Sequence, residues 1–220
     1  SLLIAAIGHA KGFMLAMKKN AKQEIVEQKL IAKSANAQFE SLKNQLDPHF
    51  LFNSLNVLDS LIEENPSLAQ RFTNSMSKIY RYVLEQKDKE MVTVEEEINF
   101  AKTYCELLQT RFEDAVTFEF TISEEDKKGF VVPLSLQLLL ENAIKHNFAT
   151  SSKPLNIKIF VENGNLIIEY NLQQRELPHK STGVGLANIV SRYNLLTDRN
   201  VFIEKSEAFF RVKLPILKEK

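Results

Sequence analysis

Three short stretches carry residue types at spacings that could do chemistry. The first is NQLDPHFLFNSLN at 44–56, where His49 follows Asp47 and Pro48 in an otherwise helix-favouring run. A neutral imidazole nitrogen can act as a nucleophile or a proton carrier near neutral pH. Pro48 would cost a helix interior about 3 kcal/mol, yet Phe50, Leu51, Leu55 and Leu58 keep helical spacing behind it. Two readings fit: a kinked core helix with a satisfied His49, or a reactive His49 turned outward. In the second, Asn53 lies one turn on and shares its face. Asp47 is the nearest acid in sequence, although side chains two apart on a helix diverge.

The second stretch is SLQLLLENAIKHN at 135–147. Gln137, Glu141 and Lys145 interleave with Leu136, Leu139, Leu140, Ala143 and Ile144, which crowds Glu141, Asn142, Lys145 and His146 onto one helix. Hard oxygens beside an ammonium suit a hydrated Mg²⁺ and its phosphates, because Mg²⁺ takes few, oxygen ligands. The same spacing equally suits a solvated face with a Glu141–Lys145 pair, worth a few tenths of a kcal/mol. The third stretch is STGVGLAN at 181–188. Gly183 and Gly185 let backbone N–H groups approach a phosphate, and the helix that follows adds a favourable field. A plain helix entry turn would use the same residues.

The elements that must position these residues divide into a helical front and an α/β rear. Ile25, Gln28, Ala32, Ala35, Phe39 and Leu42 follow a seven-residue spacing, weak as coiled coils go. The helix then continues through Pro48 to about residue 64. Asn65-Pro66 supplies a cap and a first helical residue, and a second helix over 66–87 carries Leu68, Phe72, Met76, Ile79, Tyr80 and Val83 on one face. The two form a hairpin whose apolar stripe calls for a partner, most simply a second copy completing a four-helix bundle. A capping box at Thr93 and Glu96 opens a third helix through about residue 111. Beyond it come a strand at 116–122 and the helix after Pro133. A hairpin across Asn163-Gly164 follows, then an aperiodic loop at 171–182, a helix at 184–196, and two closing strands. The texture changes in the charged stretch at 87–92, and the rear sheet reads as antiparallel.

Composition narrows the function classes. Lys plus Arg and Asp plus Glu both total 28, so no global charge draws the chain to nucleic acid. The one cysteine, Cys105, excludes an internal disulfide and suits a reducing compartment. The apolar start, SLLIAAIGHAKGFMLAM, is interrupted and shorter than the roughly 20 residues a spanning helix needs. It fits equally a dimerising amphipathic helix or the cytoplasmic end of a membrane helix, which KKNAK at 18–22 would suit.

LKNQLDPHFLFNSLN resembles the phosphoacceptor motif of the LytS-type sensor histidine kinases, LQLLLENAIKHN their N-box, and STGVGLANIVSRYNLL their second glycine box. The resemblance covers about residue 41 to the end, with the motifs in the family's order. It implies an α plus α/β chain: a signalling helix at 1–40, a dimerisation and phosphotransfer hairpin at 41–90, and a GHKL-type (Bergerat) ATP-binding α/β sandwich at 91–220. His49 becomes the phosphoacceptor, Asn53 a polar residue for phosphatase or positioning work, and Asp47 one that orients the other ring nitrogen or takes its proton. Asn142 and Glu141 become the Mg²⁺ ligands. Lys145 contacts phosphate, His146 and Asn147 flank the nucleotide, and Gly183 and Gly185, with Leu186 beside them, form the hinge and phosphate side of the ATP lid. The implied partners are a second copy, a response regulator of the LytTR type, and a bacterial plasma membrane reached upstream of Ser1, leaving this portion cytoplasmic. The sequence departs from the family at the first glycine box, Asp-x-Gly-x-Gly. Here Asn171-Leu172-Gln173 holds no glycine, and Asn171 stands where an Asp would accept from the adenine amino group. That departure motivates a second reading, a degenerate kinase acting as a dimeric scaffold or phosphatase. A third, an ATPase of the chaperone or mismatch-repair sort, would leave His49 on its hairpin unexplained.

Overall fold

The computed structural model describes residues 48–86, 89–173 and 184–219. The coiled-coil expectation, the passage of a helix through Pro48, Asp47 and Gly183 lie outside the described residues. The chain divides into two compact units, 1–53 and 54–220. Of the first, only the start of helix α1 (Pro48–Glu64) is described.

Helix α1 ends at the Asn65-Pro66 punctuation. Asn65 Oδ1 accepts from the Leu68 amide at 3.0 Å, and Pro66, whose missing N–H costs nothing there, opens α2 (Pro66–Gln86). Along α2 the buried residues are Ala69, Phe72, Met76, Ile79, Val83 and Gln86, a stripe at three- and four-residue intervals. On α1, by contrast, Leu55 and Ile62 are 46% and 56% exposed.

Strand β1 (Val92–Thr93) leads into α3 (Val94–Phe112) through the expected capping box. The Glu96 amide donates to Thr93 Oγ1 at 3.1 Å, and the Thr93 amide donates back to Glu96 Oε2 at 2.8 Å. β1 pairs with β3 (Phe130–Val131) as a separate two-stranded ribbon. Between them, Gly129 lies so close to Ile216 that an added Cβ would fall 2.2 Å from its Cγ2. The Gly129 carbonyl accepts the Val94 amide at 2.8 Å, at the first residue of α3.

The main sheet joins β2 (Val116–Thr121), β4 (Leu155–Glu162), β5 (Asn165–Asn171), β6 (Phe202–Lys205) and β7 (Phe209–Pro215) in the order β2-β4-β5-β7-β6. It is mixed, not wholly antiparallel: β2 and β4 run parallel. The physical reason is the connection. Two parallel neighbours need a crossover of a dozen or more residues, and the chain between β2 and β4 supplies one containing α4 (Ser135–His146). β4 and β5 turn on Asn163-Gly164, both at positive φ, as a tight hairpin requires. One face of the sheet is the core: Leu155, Ile157, Ile159, Leu166, Ile168, Val212 and Leu214 are all at most 1% exposed. Helix α3 packs on β2 and on α4, and α4 packs on β5 and on α5 (Val184–Leu196).

The opposite face carries a row of charges in register across all five strands. Glu119 pairs with Lys158, Lys158 with Glu169, Glu169 with Arg211, and Arg211 with Glu204. Lys158 Nζ lies 3.6 Å from Glu119, Arg211 bonds Glu169, and Lys213 Nζ reaches Glu204 at 2.7 Å.

Candidate active site

Helix α4 carries most of the sequence-derived site, and it begins in an unusual way. Leu134, immediately before it, adopts the left-handed conformation (φ 65°, ψ 11°), and no side chain of its own caps the helix. Such a conformation costs a residue with a Cβ roughly 1–2 kcal/mol, and a helix start leaves N–H groups without partners. Glu97, from α3, meets both needs. Its Oε2 accepts from the Leu134 amide at 3.0 Å and its Oε1 from the Leu136 amide at 2.9 Å. A carboxylate at a helix N-terminus is also favoured by the helix dipole.

Glu97 is completely buried. Its third donor is Tyr82 of α2, whose hydroxyl lies 3.3 Å from Oε2 and whose ring stacks on Phe100 at 4.2 Å between centroids. Burial pushes the Glu97 carboxyl up to about 7, against the pull of the two amides, the Tyr82 hydroxyl and the Arg192 charge. Arg192 of α5 donates to the Pro133 carbonyl at 3.0 Å and to the Lys89 carbonyl at 3.4 Å. Its neighbour Tyr193, fully buried, accepts from the Val132 amide at 3.4 Å. The start of α4 is therefore held by α3 and α5 together.

Further along α4, Glu141 Oε1 accepts from Gln137 Nε2 at 2.8 Å and from the Tyr104 hydroxyl at 3.2 Å. Asn142 is half-buried and Lys145 exposed. Burial and the adjacent Lys145 charge hold the His146 imidazole below the ordinary histidine value, so it is neutral at pH 7. The donor set of Glu141, Asn142 and Lys145 fits a magnesium–phosphate group, offering hard oxygens and one cation. Among the described residues, no cluster of three or more His, Cys, Asp or Glu could hold a metal by itself.

Two asparagines expected beside the nucleotide act as fasteners. Asn147, 3% exposed, donates from Nδ2 to the Ala143 carbonyl and accepts the Gln173 amide on Oδ1, both at 2.8 Å. The Phe148 amide donates to the Gln173 carbonyl alongside. Asn171 accepts the Asn156 amide on Oδ1 at 2.7 Å and donates from Nδ2 to the Pro154 carbonyl at 3.1 Å. The Oδ1 expected to accept from an adenine amino group thus already carries one backbone bond, with its second lone pair remaining. Gly185 serves packing: a Cβ there would lie 2.8 Å from Leu138 Cδ2, so its absence lets α5 approach α4. Leu186 follows it, half-buried, in the first turn of α5.

His49 is the second residue of α1 by backbone, and Asn53 stands one turn along the same helix. The sequence reading missed Glu97, Tyr82, Tyr104 and Arg192. A signal was present: Val94, Glu97, Ala101, Tyr104 and Leu108 recur at three- and four-residue intervals, which places Glu97 and Tyr104 in the core phase of α3.

Comparison with known proteins agrees with the motif reading. Residues 37–116 match the histidine kinase family model. Over 129 residues the chain is 33% identical to the sensor protein kinase HptS of Staphylococcus aureus, a match covering 59% of this chain and 25% of that protein. The matched stretch thus spans about a quarter of the length of the curated relatives. Solved structures with similarity include the catalytic domain of histidine kinase ThkA, at 14% identity and TM-score 0.40, covering 59% of this chain and 97% of that one. The Acinetobacter baumannii histidine kinase AdeS, at 13% identity and TM-score 0.40, covers 76% and 98%. His49, Asn53 and Glu97 all lie inside the segment that matches the histidine kinase family model, and over its matched length the chain is similar to a sensor histidine kinase.

Proposed function

We propose that this chain is the phosphotransfer and ATP-binding portion of a two-component sensor kinase, which autophosphorylates His49 from ATP and passes the phosphoryl group to a response-regulator aspartate. The observation that carries the reading is the family match over 37–116, which contains His49 near the start of an amphipathic helix whose apolar residues Leu55 and Ile62 stand exposed. In this reading a His49 ring nitrogen attacks the γ-phosphorus in line. The new N–P bond replaces the bond to the bridging oxygen, ADP departs, and the imidazole proton passes to an acceptor, for which Asp47 is the nearest acid in sequence, while Asn53 serves positioning. Glu141 and Asn142 would hold Mg²⁺, which when bound neutralises charge on the transferred group. Lys145 meets phosphate from the exposed side of α4, neutral His146 flanks it, and Gly183, Gly185 and Leu186 border the phosphates.

The exposed apolar residues of α1 favour a homodimer built on the hairpin at 41–90, with the ATP-binding domain at 91–220 and a signalling helix at 1–40. The remaining parts of the proposal are a LytTR-type regulator, no direct nucleic acid contact, and a cytoplasmic position beneath a membrane part upstream of Ser1. Among the described residues no helix is long and apolar enough to cross a membrane. The test is labelling with γ-³²P-ATP and Mg²⁺. Wild-type chain takes up acid-labile phosphate and His49→Gln takes up none; undiminished labelling of the variant would sink the assignment. The second reading, a scaffold or phosphatase with weak ATP binding, is favoured by the backbone bonds that occupy Asn171. Calorimetry with a non-hydrolysable ATP analogue separates the two, since absence of heat at millimolar ligand supports the scaffold.

A further inference from the structure

We infer that Glu97 is a positioning residue that couples hairpin helix α2 to the first turn of α4, so that displacement of α2 is felt at the nucleotide face of that helix. The juxtaposition is direct. One carboxylate takes the Tyr82 hydroxyl from α2 and the Leu134 and Leu136 amides from the start of α4. Tyr82 and the Leu134 amide share one oxygen, Oε2, so a change at the first donor alters the acceptor available to the second. The carboxylate at the joint is buried: Glu97 has no exposed surface, and the Tyr82 ring is stacked on Phe100.

The same place also receives α5 and the segment after α2. Arg192 ties α5 to the Pro133 carbonyl, one residue ahead of left-handed Leu134, and to Lys89 in the segment that follows α2. Leu134 holds a strained backbone that persists only while its surroundings enforce it. Loss of the Glu97 bonds therefore lets the first turn of α4 relax, and Glu141, Asn142 and Lys145 lie on the same twelve-residue helix. Tyr104, from the helix that carries Glu97, reaches Glu141 directly. A rotation of α2 thus has a short mechanical path to the carboxylate and amide assigned to magnesium.

The nucleotide half of this inference rests on the kinase reading; the joint itself does not. The test uses the full chain with Tyr82→Phe, which removes one hydroxyl and keeps the ring on Phe100, together with Glu97→Gln. The first measurement, amide hydrogen exchange without nucleotide, follows Leu134 and Leu136. Tyr82→Phe should speed their exchange about tenfold, the scale of one hydrogen bond to a charged group. Glu85→Ala, an exposed change on the same helix, should leave it unaltered. The second measurement is affinity for a non-hydrolysable ATP analogue, expected to weaken several-fold in Tyr82→Phe, with no added loss when Glu97→Gln is combined with it. Unchanged exchange at Leu134 and Leu136 in Tyr82→Phe overturns the joint, whatever the nucleotide result. Faster exchange with unchanged analogue affinity overturns the coupling to the site. A wild-type chain that binds no analogue overturns the kinase reading instead, and exchange then decides the joint alone.

Discussion

Replacing Glu97 by Gln should flatten the pH dependence of folding stability, and the size of the effect follows from the site. The carboxyl titrates near 7 in the folded chain, against an ordinary value of 4.5. Below 4.5 it is protonated in both states. Between 4.5 and 7 the folded chain keeps the proton that the unfolded chain has lost, so stability falls as pH rises, and above 7 the full cost of a buried charge is present. That cost is on the order of 3 kcal/mol, from a separation of about 2.5 units at 1.36 kcal/mol each. The part lost between pH 5.5 and 8.5 is about 2 kcal/mol. Gln also loses a hydrogen bond, because its amide nitrogen cannot accept from a backbone N–H. That offset is independent of pH and drops out of the comparison. Urea unfolding of wild type and variant at the two pH values reads the difference directly. Parallel pH dependences in the two chains would refute the argument, and with it the claim that Glu97 stays buried and loses its proton late as pH rises.

Asn171→Ala should lower stability by about 1 kcal/mol in thermal unfolding. It frees the Asn156 amide to exposed surroundings, while the Pro154 carbonyl keeps its bond from Gln173 Nε2. Gly129→Ala should cost about 1–3 kcal/mol in the same assay, since the new Cβ meets a branched, stiff Ile216 and shifts the carbonyl that receives Val94.

The elements with strong local chemistry were legible in the sequence. Asn65-Pro66, the Thr93–Glu96 box and the Asn163-Gly164 turn each carry their partners within three residues, and each stands where expected. The N-box helix was legible too, because its apolar period survives the polar insertions. What was not legible depends on distance along the chain. The parallel pairing of β2 with β4 is set by a crossover, and no window of sequence contains both strands. Glu97 did not stand out in the sequence, because its partners at Tyr82, Leu134 and Leu136 lie 15, 37 and 39 residues away. The bonds of Asn147 and Asn171 were not legible for the same reason: their backbone partners come from other strands and turns.

The charged row on the outer sheet face has a consequence for how the strands find their partners. Alternation of apolar and polar residues penalises a slip by one position, since that inverts the faces, but is nearly indifferent to a slip by two. At Lys158 the charges supply the missing discrimination. A two-residue slip of β2 on β4 would set Glu119 against Phe160 or Asn156, and one of β4 on β5 would set Lys158 against Ile167 or Asn171. Exposed pairs of this kind add little to stability. Their value is selective: they rank the native alignment above the alternatives that the core accepts almost as well.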